Sequence, residues 1–212
     1  MQLVSVNVGA PKWTQFQGKS FRTAIFKLPV SGTVSVKSLQ VEGDGQADLQ
    51  AHGGADKAVY LYPIEHYDFW REELGLPIKE LGSFGENFTA KGMLEIDVCI
   101  GDTFKIGTAI VQVSQPRTPC YKLAARFQRP DLPPRFLQSL KSGFYLRVLS
   151  EGQVSAGESF VLCDRDPTPI TVCELASIYH FNRSDTQAVR RALENKAIAE
   201  EWRQVLEQQI DD

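Results

Sequence analysis

The stretch Thr103-Phe104-Lys105-Ile106-Gly107-Thr108-Ala109-Ile110-Val111-Gln112-Val113-Ser114 reads as two β-strands around a tight turn. Apolar side chains alternate with others on both sides of Gly107-Thr108, so each strand offers one face to a core. The same alternation recurs upstream in Leu3-Val4-Ser5-Val6-Asn7-Val8 and Thr33-Val34-Ser35-Val36, and again over residues 94–100. Ala58-Val59-Tyr60-Leu61-Tyr62 is a continuous β-prone run, and residues 144–149 and 159–162 complete the series. Many short strands at close spacing predict a mainly β fold, a barrel or a sandwich.

Short helices interrupt this pattern. In Glu65–Leu74, the residues Tyr67, Trp70, Arg71 and Leu74 recur at helical spacing and Gly75 follows as a stop. Tyr121–Phe127 follows Pro119, and residues 134–140 carry proline in the first turn. Two aspartates and two prolines over residues 164–169 read as a linker. Beyond it the spacing predicts three helices: residues 172–179, a second capped by Ser184 or Asp185 and running to Leu193, and residues 196–209. The expected organisation is a β-barrel domain over residues 1–165 and a small three-helix domain over residues 166–212.

The chain has 212 residues, 42% apolar and 23% charged, which excludes wholesale disorder. No apolar run reaches membrane-spanning length, and no basic segment followed by an apolar stretch opens the sequence. The formal charge of -3 argues against binding a nucleic-acid polymer. That sum hides a segregation: residues 115–147 carry seven basic side chains and one acidic. One concentrated cationic stretch fits a local anion site or a solvated basic helix face. The cysteines at 99, 120, 163 and 173 contain no CxxC spacing, which disfavours a zinc ribbon or an iron–sulfur cluster. Without a secretory signal, the reducing cytoplasm is the expected compartment and disulfides are not expected.

Three loop clusters hold chemistry-bearing residues. His52-Gly53-Gly54-Ala55-Asp56-Lys57 combines paired glycines, a titratable donor and a cation, as an anion nest does, and as an ordinary tight turn also does. Gly85-Glu86-Asn87 offers an acid and an amide, either to bind a polar ligand or to pin another loop. Gln115-Pro116-Arg117-Thr118-Pro119-Cys120-Tyr121-Lys122 places Cys120 between two cations on a proline-stiffened loop. Such neighbours favour a thiolate, which serves as a soft ligand for a redox metal or as an activated nucleophile. For the nucleophile reading, His52, His66 and His180 are the available bases. No flavin or nicotinamide fingerprint is present, so reducing equivalents would have to come from another protein.

Together these clusters resemble the MOSC-domain proteins, named for the C-terminal domain of molybdenum cofactor sulfurases, and within them the bacterial YiiM type. The matching segments are His52-Gly53-Gly54-Ala55-Asp56-Lys57-Ala58-Val59-Tyr60, Gly85-Glu86-Asn87-Phe88-Thr89, Val113-Ser114-Gln115-Pro116-Arg117-Thr118-Pro119-Cys120-Tyr121-Lys122-Leu123 and Gly143-Phe144-Tyr145-Leu146-Arg147-Val148-Leu149. The tail resembles the three-helix module of this subgroup. The resemblance implies a MOSC-type β-barrel that binds a molybdenum–molybdopterin cofactor, with Cys120 as the metal ligand. The chemistry of the matching residues suits such a cofactor: Arg117 and Lys122 to pair with its phosphate, the His52-Gly53-Gly54 turn to supply donors, Lys57 to add a second charge, Asn87 to bond the pterin edge and Thr118 to complete the contacts, with His52 read either as a proton donor or as a structural residue of its turn. The resemblance also implies a cytoplasmic reductase that converts N–OH to N–H in N-hydroxylated bases and so confers resistance to compounds such as 6-hydroxylaminopurine. Its partners would be a small-molecule substrate and an external electron-transfer reductase, with a homodimer as an open option. The other reading is a non-catalytic carrier of the cofactor or its sulfur.

Overall fold

A computed structural model describes residues 1–47 and 53–211. Its strands are β1 (Gln2–Val8), β2 (Lys12–Phe16), β3 (Lys19–Thr23), β4 (Leu28–Val30), β5 (Val34–Val36), β6 (Val59–Pro63), β7 (Phe88–Lys91), β8 (Thr103–Ile106), β9 (Ala109–Pro116), β10 (Phe144–Ser150), β11 (Gly152–Val154) and β12 (Val161–Asp164). Its helices are α1 (Glu65–Leu74), α2 (Tyr121–Phe127), α3 (Leu132–Ser139), α4 (Val172–Phe181), α5 (Thr186–Glu194) and α6 (Glu200–Asp211), with a 3-10 turn at Ala55–Lys57. The fold is mainly β with short helices, as the alternation predicts.

Eight strands form one curled sheet in the order β12-β8-β9-β10-β6-β7-β1-β4, and only β6 and β7 run parallel. The quoted hairpin is β8 and β9, with Ile106 opposite Ala109 across Gly107-Thr108. Residues just before β12 bond to the start of β1: the Leu3 N–H donates to the Glu158 carbonyl oxygen (2.8 Å) and the Gly157 N–H to that of Leu3 (2.7 Å). These bonds draw the two sides of the sheet together into a barrel-like shell.

β6 explains how two cores share one sheet. Val59 and Leu61 point into the shell with Leu3, Phe88, Phe104, Val111 and Phe144. Tyr60 and Tyr62 point the other way, into a second apolar cluster with Trp70, Phe84, Leu123 and Phe136 from α1, α2, α3 and the loop before β7. A strand buried on both faces reads as a continuous apolar run rather than an alternation. Each large side chain so buried contributes about 1.5–3 kcal/mol relative to exposure. The phenols keep their hydrogen bonds: the Trp70 indole donates to the Tyr62 oxygen (2.7 Å), and the Tyr60 hydroxyl donates to the Ser142 carbonyl oxygen (2.7 Å).

The alternation over residues 94–100 does not form a strand. The Asp97 and Val98 N–H groups both donate to the Leu94 carbonyl oxygen (3.0 Å each), which makes a turn. Within it Glu95 is buried, accepting from the Gly143 N–H (2.6 Å) and bonded to His66 Nε2 (2.7 Å). A buried carboxylate at that position breaks the half-apolar pattern that periodicity presupposes. Conversely, the β2–β3 hairpin carries a weak apolar pattern and was not expected. Its turn residues Gln17 and Gly18 both have positive φ (48° and 76°), the geometry of a two-residue hairpin loop.

The tail forms three helices, and Asp185 caps α5 by accepting from the Ala188 N–H (3.0 Å). The third helix starts at Glu200 rather than at residue 196. The intervening residues are tied to the sheet instead: buried Asn195 donates to the Ile100 carbonyl oxygen (3.0 Å), Arg147 donates to that of Ala197 (2.9 Å), and the Ala199 N–H donates to that of Ser114 (3.0 Å). Leu175, Val189, Ala192, Trp202 and Leu206 join the same apolar cluster as the shell interior. No helix among the described residues is long and apolar enough to cross a membrane.

His180 on α4 makes this tail pH-sensitive. Its ring lies edge-on to Trp202 (5.7 Å), and burial, aided by the Arg183 charge, lowers its pKa from 6.5 to about 4. The unfolded chain therefore binds more protons between these values, so stability falls as pH drops from 6.5 towards 4. Denaturant titrations followed by tryptophan fluorescence should show this loss, and His180→Gln should flatten it. An unchanged pH slope in the variant would refute the assignment.

Candidate functional site: a cationic cleft around Cys120

A cleft opens on the helix-covered side of β6 and β10. Its lining includes Cys120, Arg117 and Lys122 from the β9–α2 loop, Lys57 from the 3-10 turn, Tyr60 and Tyr145 from the sheet, and Lys27, Asp44, Phe84, Gly85 and Asn87 from neighbouring loops. Tyr60 and Tyr145 are paired across β6 and β10, with ring centroids 5.4 Å apart. Burial holds both phenols above their usual pKa despite the opposing Arg117 charge, so both remain protonated at neutral pH.

The loop that presents the thiol is held by its backbone. The Arg117 N–H donates to the Gly143 carbonyl oxygen (3.1 Å), and the Leu123 N–H to that of Cys120 (2.9 Å), which caps α2. Gly143 must be glycine: its φ is +68°, and a Cβ there would lie 2.4 Å from the Leu61 carbonyl oxygen. Pro116 and Pro119 stiffen the segment between. Cys120 is half-buried at the cleft, whereas Cys99 is buried, Cys163 exposed and Cys173 half-buried elsewhere.

Arg117 is the most constrained cation. It is 6% exposed, and its guanidinium carbon lies 5.2 Å from the Tyr60 ring centroid and 5.3 Å from that of Phe136. Its Nη1 is buried and, among the described residues, has no hydrogen-bond partner. A buried guanidinium donor without an acceptor is costly, so this atom marks where an anionic or polar ligand would fit. Lys122 is also buried, and Lys57 forms an ion pair with exposed Glu201 of α6. The tail thus places a carboxylate at the cleft edge.

Opposite lies a fixed ionic network. Lys27 pairs with Asp44, whose Oδ1 also accepts from the Gly9 N–H (2.9 Å) and whose Oδ2 accepts from Asn87 Nδ2 (2.8 Å). Asn87 Oδ1 in turn accepts from the Tyr60 N–H (3.1 Å). The Asn87 amide therefore pins loops together while bordering the cleft. Burial pushes the Lys27 ammonium below its usual pKa, and Asp44 opposes that shift. Among the described residues the lining holds four cationic side chains and one carboxylate, with Glu201 at its edge, which leaves it electropositive.

Of the residues singled out from sequence, Lys57, Asn87, Arg117, Cys120 and Lys122 come together in the cleft. Gly53, Gly54 and exposed Thr118 lie outside its lining, and His52 lies outside the described residues. His66 is engaged by Glu95 and His180 packs in the tail, so neither lines the cleft. Sequence reasoning missed Lys27, Asp44, Tyr60 and Tyr145 as lining residues. The two tyrosines stood within segments already singled out, while Lys27 carried no local signal.

The basic stretch over residues 115–147 divides. Only Arg117 and Lys122 of its seven cations line the cleft. Arg129 and Arg135 pair with Asp131, Arg135 also with Glu73, Arg126 lies 3.8 Å from Glu80, and Arg147 pairs with Asp56 (2.8 Å). The anion-site and solvated-face readings each account for part of it.

A model of the MOSC domain matches residues 48–161. An uncharacterized protein, YflK of Bacillus subtilis (strain 168), is 43% identical over 95% of this chain and 90% of its own length. The crystal structure of YiiM from Geobacillus stearothermophilus superposes with a TM-score of 0.84 at 39% identity, covering 99% of this chain and 98% of that one. A protein of Gibberella moniliformis (strain M3125 / FGSC 7600) named Reductase is 35% identical over 70% of this chain, which spans 27% of its length. The chain belongs to the MOSC-domain family and, within it, to the YiiM type.

Proposed function

We propose that this chain is a molybdenum-cofactor-dependent reductase of N-hydroxylated small molecules, N-hydroxylated purine bases among them, supplied with electrons by a separate protein. The observation that carries this reading is one cleft holding the Cys120 thiol beside the buried, unpartnered Nη1 of Arg117. Molybdopterin presents a phosphate and a metal, and these residues match both: a bidentate guanidinium donor with lysines for the anion, and a soft sulfur donor for the metal. Arg117, Lys57 and Lys122 would hold the phosphate, and Cys120 would ligate molybdenum. When bound, the molybdenum centre supplies two-electron removal of oxygen from an N–OH group.

The chain's own residues bind and orient. Tyr60 and Tyr145 give the cleft an aromatic wall suited to a planar base. The protonated Tyr145 hydroxyl is a hydrogen-bond donor beside Arg117. Reducing N–OH to N–H consumes two electrons and two protons and releases water. Within the sequence reading, His52 remains the proton-donor proposal. The family's relative named Reductase is consistent with redox chemistry on this fold.

Protein purified from a host that makes the cofactor should contain about one molybdenum and one pterin per chain, and should reduce an N-hydroxylated purine base with a viologen dye as donor. Cofactor binding with no turnover under any donor would favour the carrier reading instead.

A further inference from the structure

Side chains from β6 and from the turn at residues 94–98 hold a second turn, residues 141–143, beside the cleft. The Tyr62 hydroxyl donates to the Lys141 carbonyl oxygen (3.0 Å) and the Tyr60 hydroxyl to that of Ser142 (2.7 Å). The Gly143 N–H donates to Glu95 Oε1 (2.6 Å), and the Gly143 carbonyl oxygen accepts from the Arg117 N–H (3.1 Å). The residue that receives the Cys120 loop is therefore itself held by a buried carboxylate. The Tyr60 ring, anchored on the same turn, faces the Arg117 guanidinium at 5.2 Å. Both the backbone and the side chain of Arg117 thus take their position from residues 142 and 143.

Glu95 and His66 are 3% and 6% exposed, and neither lines the cleft. The backbone of Glu95 is fixed independently, its carbonyl oxygen accepting from the Cys173 N–H (2.9 Å) in the first turn of α4. His66 Nε2, in the first turn of α1, bonds to Oε2 (2.7 Å) and leaves Oε1 for Gly143. Gly143 needs such a tie, because a glycine at φ +68° has many other conformations open to it. Burying a carboxylate is costly, and an apolar residue of similar size would fill the same space without that cost. Stability alone does not account for the pair; the fixing of one backbone group does.

We propose that Glu95, oriented by His66, is the positioning residue of the cleft: through Gly143 it sets the loop of Arg117 and Cys120 in the geometry that receives the cofactor. Its kinetic consequence rests on the reductase reading above. Glu95 touches neither substrate nor cofactor and acts through the Gly143 peptide.

The test uses the full chain. Amide hydrogen exchange read by NMR reports the Arg117 N–H directly and needs no turnover. Glu95→Leu keeps the volume and removes both side-chain bonds, so the Arg117 amide should exchange about tenfold faster or more. The Val113 amide, which donates to the Asp102 carbonyl oxygen elsewhere on β9, should not change. Glu95→Gln keeps an acceptor for Gly143 and should recover most of the protection. If Glu95→Leu does not fold, His66→Leu, which takes the partner from Oε2, gives the same readout with a smaller change. In cofactor-loaded protein, kcat per bound molybdenum for an N-hydroxylated purine base with a viologen donor should fall about tenfold in Glu95→Leu, with KM within about threefold of wild type. Val189→Ala, in the apolar core of the tail, is the control for lost stability and should leave both readouts in place.

A pair that is merely structural would lower stability and leave Arg117 exchange and kcat per molybdenum at wild-type values, and that result overturns the proposal. So does faster exchange with unchanged kcat per molybdenum, or a Glu95→Gln variant no better than Glu95→Leu. Faster Arg117 exchange in Glu95→Leu, in a protein whose wild type turns over no N-hydroxylated base with any donor, upholds the positioning and sinks the reductase reading instead.

Discussion

Cys120→Ala is expected to leave a folded protein that purifies almost free of molybdenum. The backbone bonds that shape this loop, from Arg117 N–H to the Gly143 carbonyl and from Leu123 N–H to the Cys120 carbonyl, do not involve the side chain. The thiol is half-buried, so its loss should change stability by no more than about 1 kcal/mol. Removing the thiolate removes the protein's soft ligand at the cleft, and metal content should fall from about one atom per chain to under about a tenth. Turnover should fall with it. Pterin alone should be retained better than metal, because Arg117, Lys57 and Lys122 still offer charge to its phosphate. Cys163→Ala is the matched control: that thiol is exposed on β12, away from the cleft, and its loss should change nothing. Circular dichroism and metal analysis on both variants decide the matter. Normal molybdenum in Cys120→Ala would refute the ligand assignment.

The hairpin at residues 103–114 was legible because it buries chiefly one face, which is what a period of two records; β1 shows the same period although Ser5 and Asn7 on its polar face are also buried, Ser5 donating to Asn7 and Asn7 to Thr89. Residues 94–100 show the same period for a different reason, since Glu95 there points inward to meet His66 and the Gly143 N–H. Periodicity registers apolar spacing and is blind to a carboxylate buried with partners. The β2–β3 hairpin escaped notice for the opposite reason: one of its faces is exposed and the other only half-buried, so no apolar stripe exists to find.

The cleft was legible where its residues are clustered in sequence and illegible where topology assembles them. Arg117, Cys120 and Lys122 lie within six positions of one another, and their loop announced itself by proline and charge. Lys27 and Asp44 come from the connections after β3 and β5, and only the sheet order, which seats β1 beside β7 and β4 beside β1, brings them near Asn87. Charge counting over a window likewise cannot divide the seven cations at residues 115–147 between cleft and surface, because part of their pairing is settled by contacts distant in sequence. Glu73 and Arg135, paired in the structure, stand more than sixty positions apart.

The same limit applies to Glu86, a polar loop residue by sequence and a core residue in the structure. It is fully buried and accepts four hydrogen bonds: from the Tyr67 hydroxyl, the Gly82 N–H (2.9 Å) and the Thr89 hydroxyl (2.8 Å) on Oε1, and from the Phe84 N–H (3.0 Å) on Oε2. These bonds fold the 82–87 loop back on itself and seat Phe84 and Gly85 in the cleft wall. Glu86→Ala orphans all four donors inside the second apolar cluster and should cost about 3–5 kcal/mol, a large share of a typical domain's stability. Glu86→Gln keeps the three bonds on one oxygen and sets an amide against the Phe84 N–H, so it should cost less, about 1–3 kcal/mol. Urea unfolding at equal protein concentration would rank the two, and the reverse order would refute the donor-counting account. The pH dependence gives an independent check. Burial raises the Glu86 pKa above 4.5, against the opposing hydrogen bonds, so the folded state holds this proton more tightly than the unfolded chain does. Its contribution is therefore greatest below the unfolded pKa and is lost as pH rises through the folded value. The gap in stability between wild type and Glu86→Ala should narrow as pH rises from below 4.5. A gap that widens over that range would mean that the carboxylate is favoured as an anion, with its four donors outweighing its burial.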